Sequence, residues 1–247
     1  MEYNVRKITV GREKTMLEAL KREVYKANME LPRRGLITYT WGNASARDPE
    51  TGYIVIKPSG VPYEHMMPGD MTVVDLQGNV VEGAYRPSSD LKTHLALYRA
   101  FPCAGGVVHT HSIHATAWAQ ACRPIPNIGT THADNFHGAV PVTGEIASAR
   151  IRTDYEAATG DVIVAKFRED GIDPEATPGA LVAHHGPFTW GASVGKAVEN
   201  AVVLEMVAQI ASISYALNPS LSMNPDLIEK HYSRKHGPNA YYGQVRR

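Results

Sequence analysis

Leu17, Leu20, Val24, Ala27 and Leu31 recur at three- and four-residue intervals, the spacing that lines one face of a helix, and Pro32 marks its end. Residues 1–15 carry no such periodicity and read as an N-terminal extension ahead of a domain spanning 16–247. Alternation over 36–41 predicts a strand, 53–56 a second, and 71–81 a hairpin turning at Gln77-Gly78-Asn79. Pro87-Ser88-Ser89-Asp90 supplies capping oxygens for a helix reaching about residue 101. The β-branched run at 107–111 follows Gly105-Gly106, and the stretch 115–121, with its alanines and Trp118, reads as helical. Short strands are predicted at 139–142, 162–164 and 180–184, with a helix over 147–158. The segment 195–217 is apolar on most faces and stops before Pro219, as a core or interface helix does. A polar stretch with His231, Tyr232, His236, Tyr241 and Tyr242 follows. No internal repeat or Gly/Ser linker breaks this order, so the expectation is a single α/β domain, a mainly antiparallel sheet flanked by helices.

Charge narrows the choice of partners. Lys plus Arg and Asp plus Glu both number 25 in the 247 residues, a formal net charge of zero, which argues against nucleic acid or an anionic membrane as partner. Glu205 and Gln209 interrupt the most apolar run, 201–213, so no bilayer span is expected. Cys103 and Cys122 lack CxxC spacing, which fits reduced thiols in a cytoplasmic protein. The eleven histidines stand out, because imidazole titrates near neutrality and is the commonest metal ligand.

His109 and His111 lie two apart in a strand-like run, so their side chains leave the same face and can meet on one ion. His184-His185-Gly186-Pro187 ends another apolar strand and offers a third imidazole, and Asp90, at a helix start, could complete a tetrahedral set or simply cap the helix. Three imidazoles and a carboxylate suit a borderline divalent ion, zinc first, with manganese or cobalt as alternatives, acting as a Lewis acid.

Seven motifs then resemble one family in its own order: TWGNASAR (40–47), IKPSGV (56–61), RPSSDLKTH (86–94), GGVVHTHSIHATAWAQA (105–121), TTHAD (130–134), HHGPFTWG (184–191) and KHYSRKHGPNAYYGQ (230–244). They are similar to the class II aldolase/epimerase family and within it to the L-ribulose-5-phosphate 4-epimerases, over residues 16–244. The resemblance implies a three-layer fold with a central antiparallel sheet and a cyclic homotetramer of C4 symmetry with active sites between subunits. It implies Asp90, His109, His111 and His185 as metal ligands, with His184 a neighbour only. The family's aldolases carry a longer Glu at the first of these positions, so Asp90 favours epimerase. The implied phosphate pocket is Gly42, Asn43, Ser59, Gly60, Ser88 and Ser89, with Lys57 as an added charge. Small residues, hydroxyls and a helix N-terminus do suit a dianion. Apart from the resemblance, residues 41–43 and 58–60 read as ordinary turns.

The implied acid/base pair is Asp134 and Tyr242, ordered by His231, with Tyr242 on a C-terminal tail that reaches a neighbouring subunit. The implied reaction inverts C4 of L-ribulose 5-phosphate to give D-xylulose 5-phosphate by retro-aldol cleavage of C3–C4 and re-addition. An aldolase of the L-fuculose 1-phosphate type is the nearest alternative. A non-catalytic module like the head of adducin is another, against which the intact ligand set speaks. No G-x-G-x-x-G pattern calls for a dinucleotide.

Overall fold

Val107 and Val108 are neighbours in the chain and belong to different cores, because successive residues of a strand face opposite sides of the sheet. The computed structural model describes residues 2–238 and 240–242, with side chains from Leu17 onward; the last residues of the 230–244 motif lie outside the described residues. The elements are α1 (Glu2–Arg33), β1 (Asn43–Arg47), β2 (Ile54–Ile56), β3 (Thr72–Val74), β4 (Val80–Glu82), α2 (Leu91–Ala100), β5 (Gly106–His109), α3 (Ile113–Gln120) and α4 (Thr130–Ala133). After them come α5 (Ser148–Thr153), α6 (Tyr155–Glu169), β6 (Gly179–Val182), β7 (Gly186–Gly191), α7 (Val194–Leu217) and α8 (Pro225–His236). The seven strands form one antiparallel sheet in the order β4-β3-β2-β1-β5-β7-β6.

Helices cover both faces, which makes three layers. Val55, Val73 and Val108 pack with Leu17, Val24, Leu31 and Ala201 of α1 and α7 on one face. Ile54, Ile56, Val107, Phe188 and Trp190 pack with Leu95, Ile163 and Phe167 of α2 and α6 on the other. A third cluster joins Trp118 and Ala119 of α3 to Leu204 and Ala208 of α7. Burial on both sides explains why the strands read as continuous apolar runs. Gly106 is needed where β5 meets the start of α7, since a Cβ there would lie 2.4 Å from Val194 Cα. By length and composition α7 could cross a bilayer, but a third of its most apolar window is buried inside the protein and Glu205 is bonded to α3.

Four expectations are corrected. Residues 36–41 form turns: Tyr39 has a φ of 54° and Gly42 of 89°, values that end extended backbone, and the strand begins at Asn43. Residues 162–164 lie inside α6, where Ile163 and Phe167 plug the core at helical spacing and tertiary packing overrides β propensity. Residues 139–142 make only two isolated bridges, Val140 to Ile125 and Val142 to Leu181. The helix predicted over 147–158 divides at Asp154 into α5 and α6. In addition, α1 runs on from residue 17 back to Glu2, because the lack of an apolar stripe speaks to burial and not to backbone conformation.

Candidate active site

The end of β5 delivers His109, which is buried, and its Nδ1 lies 3.0 Å from the Pro187 carbonyl of β7. A carbonyl only accepts, so Nδ1 carries the proton and Nε2 turns a lone pair outward. His111 lies just past the strand, its Nε2 3.1 Å from that of His109, so one proton or one cation must lie between them. His185 joins from the β6–β7 turn, and one ligand nitrogen from each of the three lies within 4.8 Å of the others. Burial first, and then repulsion from neighbouring imidazoles, pushes His111 down to about 4 and His185 down to about 3.

Asp90 stands at the N-cap of α2 but its side chain caps nothing. Its carboxylate instead takes a 2.6 Å hydrogen bond from Asn43 Nδ2. Burial raises its pKa, but the pull of His109 and His94 and the Asn43 bond outweigh burial and hold the carboxyl below its ordinary value. The ligand atoms that lie within 4.8 Å of one another are those of the three imidazoles alone, with Asp90 lining the same cavity beside them; a histidine cluster with an anionic carboxylate nearby fits a divalent cation.

These four residues share a cavity of about 500 Å³ with Gly42, Asn43, Lys57, Ser59, Gly60, Ser88 and Ser89. Gly42 is required there, because a Cβ would lie 2.6 Å from the His109 carbonyl oxygen. The Lys57 ammonium is buried, 3.3 Å from the carbonyls of Pro58 and Val61, and burial lowers its pKa to about 8. The backbone N–H of Ser59 donates to Arg86 and that of Ser88 to Lys57, so neither is free for an anion. Asn43 donates to both Ser88 Oγ and Asp90, and its Oδ1 is buried with no partner among the described residues. Thr40 and Trp41 complete the wall, with the Trp41 ring 6.1 Å from that of His111.

Asp134 and Tyr242 form a second cluster, outside that cavity. The Asp134 carboxylate, at the C-terminal end of α4, meets α8 through His231 Nδ1 at 3.0 Å, Arg234 Nε at 3.0 Å and Nη2 at 2.6 Å, and Lys235 Nζ at 3.7 Å. Burial raises its pKa, but the bonds from Arg234 and His231 prevail and keep it low. The Tyr242 ring covers the Arg234 guanidinium at 5.0 Å and Lys235 at 4.7 Å, and its N–H donates to the Arg234 carbonyl at 3.1 Å. Arg234 and Lys235 were legible at the helical spacing i, i+3, i+4 from His231; Tyr155, bonded to His185 across 30 residues, had no local signal. His184 stands next to the histidine cluster in the chain and is not part of it, but it lies in the β6–β7 turn and not on a strand, at a φ of 61°, facing Cys122 and Glu145.

The chain matches the family of the Class II Aldolase and Adducin N-terminal domain over residues 22–212. It is 56% identical over 229 residues to an L-ribulose-5-phosphate 4-epimerase, UlaF, of Salmonella paratyphi C (strain RKS4594), covering 92% of this chain and 100% of that protein. Among solved structures it resembles an L-fuculose 1-phosphate aldolase with a TM-score of 0.74 at 23% identity, covering 87% of this chain and 95% of the other. The L-fuculose 1-phosphate aldolase of Glaciozyma antarctica PI12 also gives a TM-score of 0.74, at 18% identity over 90% and 83%. The last two likenesses speak to the fold.

Proposed function

The chain belongs to the class II aldolase and adducin N-terminal domain family, and from that membership we propose that it is a divalent-metal-dependent L-ribulose-5-phosphate 4-epimerase. The identity of 56% to UlaF along that protein's whole length supports the substrate. The observation that carries the chemistry is Asp90, an anionic carboxylate set beside three imidazoles in one cavity.

C4 is not adjacent to the substrate carbonyl, so no simple proton abstraction inverts it. Breaking C3–C4 yields glycolaldehyde phosphate and the enediolate of dihydroxyacetone; turning the aldehyde and re-forming the bond gives D-xylulose 5-phosphate. Asp90, His109, His111 and His185 would hold the cation, zinc or else manganese or cobalt, which when bound supplies Lewis acidity to the carbonyl end. Gly42, Ser59, Gly60, Ser88, Ser89 and Lys57 tether the phosphate while the aldehyde turns. Asn43 lines this pocket and bridges it to Asp90. Asp134 and Tyr242 exchange protons with the C4 oxygen from its two sides, with His231 orienting Asp134.

Because Asp134 and Tyr242 stand apart from the cavity of their own chain, the reading takes them from a second copy, in a C4 tetramer. The stripe Met206, Ile210, Ile213 and Leu217 on α7 is 42–83% exposed and supports burial between copies. The domain then spans 16–247 with a catalytic tail, and residence is cytoplasmic, as two free cysteines allow. A coupled assay of L-ribulose 5-phosphate, on metal-loaded and chelator-stripped protein and beside L-fuculose 1-phosphate, tests the proposal. Metal-dependent epimerisation is expected; cleavage of the fuculose ester alone would move the chain to the aldolases, and no turnover by metal-loaded protein would refute an enzymatic role.

A further inference from the structure

Two of the three clustered imidazoles have Nδ1 held by an oxygen from a residue that does not line the cavity. For His109 that oxygen is the Pro187 carbonyl; for His185 it is the phenol of Tyr155, whose oxygen lies 3.0 Å from Nδ1. A metal-bound imidazole almost always makes such a bond with its second nitrogen, which sets both ring orientation and tautomer. We propose that Tyr155 is a positioning residue that holds the His185 ring with Nε2 toward the cation site. The proposal rests on the reading of His109, His111 and His185 as a cation site.

The phenol differs from the carbonyl in one respect. A carbonyl accepts only, whereas the hydroxyl can donate to a bare Nδ1 or accept from Nδ1–H. With a cation on Nε2, Nδ1 must carry the proton and donates it in a hydrogen bond to the Tyr155 oxygen; without one, the hydroxyl rotates and the contact survives in either tautomer. His185 thus stays oriented whether or not the cation is present.

Tyr155 itself is held in place. It is the first residue of α6, and its turn is tied to α2, the helix that begins just after Asp90. The buried Thr93 hydroxyl donates to the Glu156 carbonyl at 2.7 Å, and Lys92 Nζ meets both carboxylate oxygens of Asp154 at 2.9 Å. A Cβ on Gly160 would come within 2.5 Å of Ala96 Cβ, so the two helices touch at backbone distance. One rigid junction therefore sets the positions of both His185, through the phenol, and the Asp90 segment.

Tyr155→Phe removes only the oxygen and keeps the ring. Competition of the full-length protein with a chromogenic chelator for Co²⁺ should show affinity reduced about 10-fold or more. The visible spectrum of the Co²⁺-loaded variant should shift, and the thermal midpoint of the metal-free protein should fall by no more than the loss of one hydrogen bond explains. The double variant Tyr155→Phe/His185→Gln should bind no more weakly than His185→Gln alone, since the phenol acts only through that ring. Wild-type affinity and an unchanged Co²⁺ spectrum in Tyr155→Phe, alongside clear loss in His185→Gln, would overturn the role of Tyr155 alone. Equal binding by wild type and His185→Gln would overturn the cation site and this proposal with it.

Discussion

Asn43 Nδ2 donates to the Asp90 carboxylate at 2.6 Å, although Asp90 stands where a helix-capping side chain would be. The bond crosses from the first residue of β1 to the start of α2 and ties the Asn43 amide to the carboxylate.

Asn43→Ala should therefore weaken cation binding about 10-fold, as loss of an outer partner commonly does. Asp90→Asn, which removes the charge itself, should lower it further. Metal content after dialysis, measured by elemental analysis on both variants, checks the order; full retention by Asp90→Asn would remove that residue from the ligand set.

Asp134→Asn and Tyr242→Phe should each reduce turnover at least about 100-fold, the usual worth of a general acid or base, with metal content unchanged. Their separation from the cavity of their own chain adds a sharper expectation. Inactive Asp134→Asn protein mixed and reassembled with inactive His109→Asn protein should regain activity, because hybrid oligomers would pair an intact cavity from one chain with an intact Asp134 from the other. Mixtures as inactive as their components would place the whole site in one chain.

Lys57 gives the reaction a basic limb. Burial lowers its pKa to about 8, so its charge, which the proposal sets against the substrate phosphate, is present below that pH and is lost as pH rises through it. The expected profile of kcat/KM falls above pH 8. Lys57→Met should sit about 10-fold or more lower at pH 7 and show no such limb; a limb that survives in the Met variant belongs to another group.

Acid should destabilise the metal-free protein. Burial holds His94 down to about 3 and His132 down to about 4, and His185 is held down to about 3. Each binds a proton more readily when unfolded, so this stability is complete above about 6.5 and drains away as pH falls toward 3. Urea midpoints should decrease from pH 7.5 to pH 5, with a shallower slope in His132→Gln. A flat midpoint over that range contradicts the assignment.

The sequence by itself determined the elements whose signal is local. The apolar face of α1 from Leu17 to Leu31, the hairpin at Gln77-Gly78-Asn79 and the long helix before Pro219 all depend on near neighbours, and periodicity reports them. The pairing of His109 and His111 was legible for the same reason, the two being two residues apart. Residues 162–164 were not, because their helix is decided by the core that Ile163 and Phe167 fill against α2 and the sheet. Only the tertiary structure made Asp90 a cavity carboxylate and not a cap, since Asn43 reaches it from 47 residues away. Likewise only folding brought Tyr155 to His185 and Arg234 to Asp134, across 30 and 100 residues. A hydrogen bond between distant residues leaves no period in the chain; it exists because the sheet and its helices close the intervening loops.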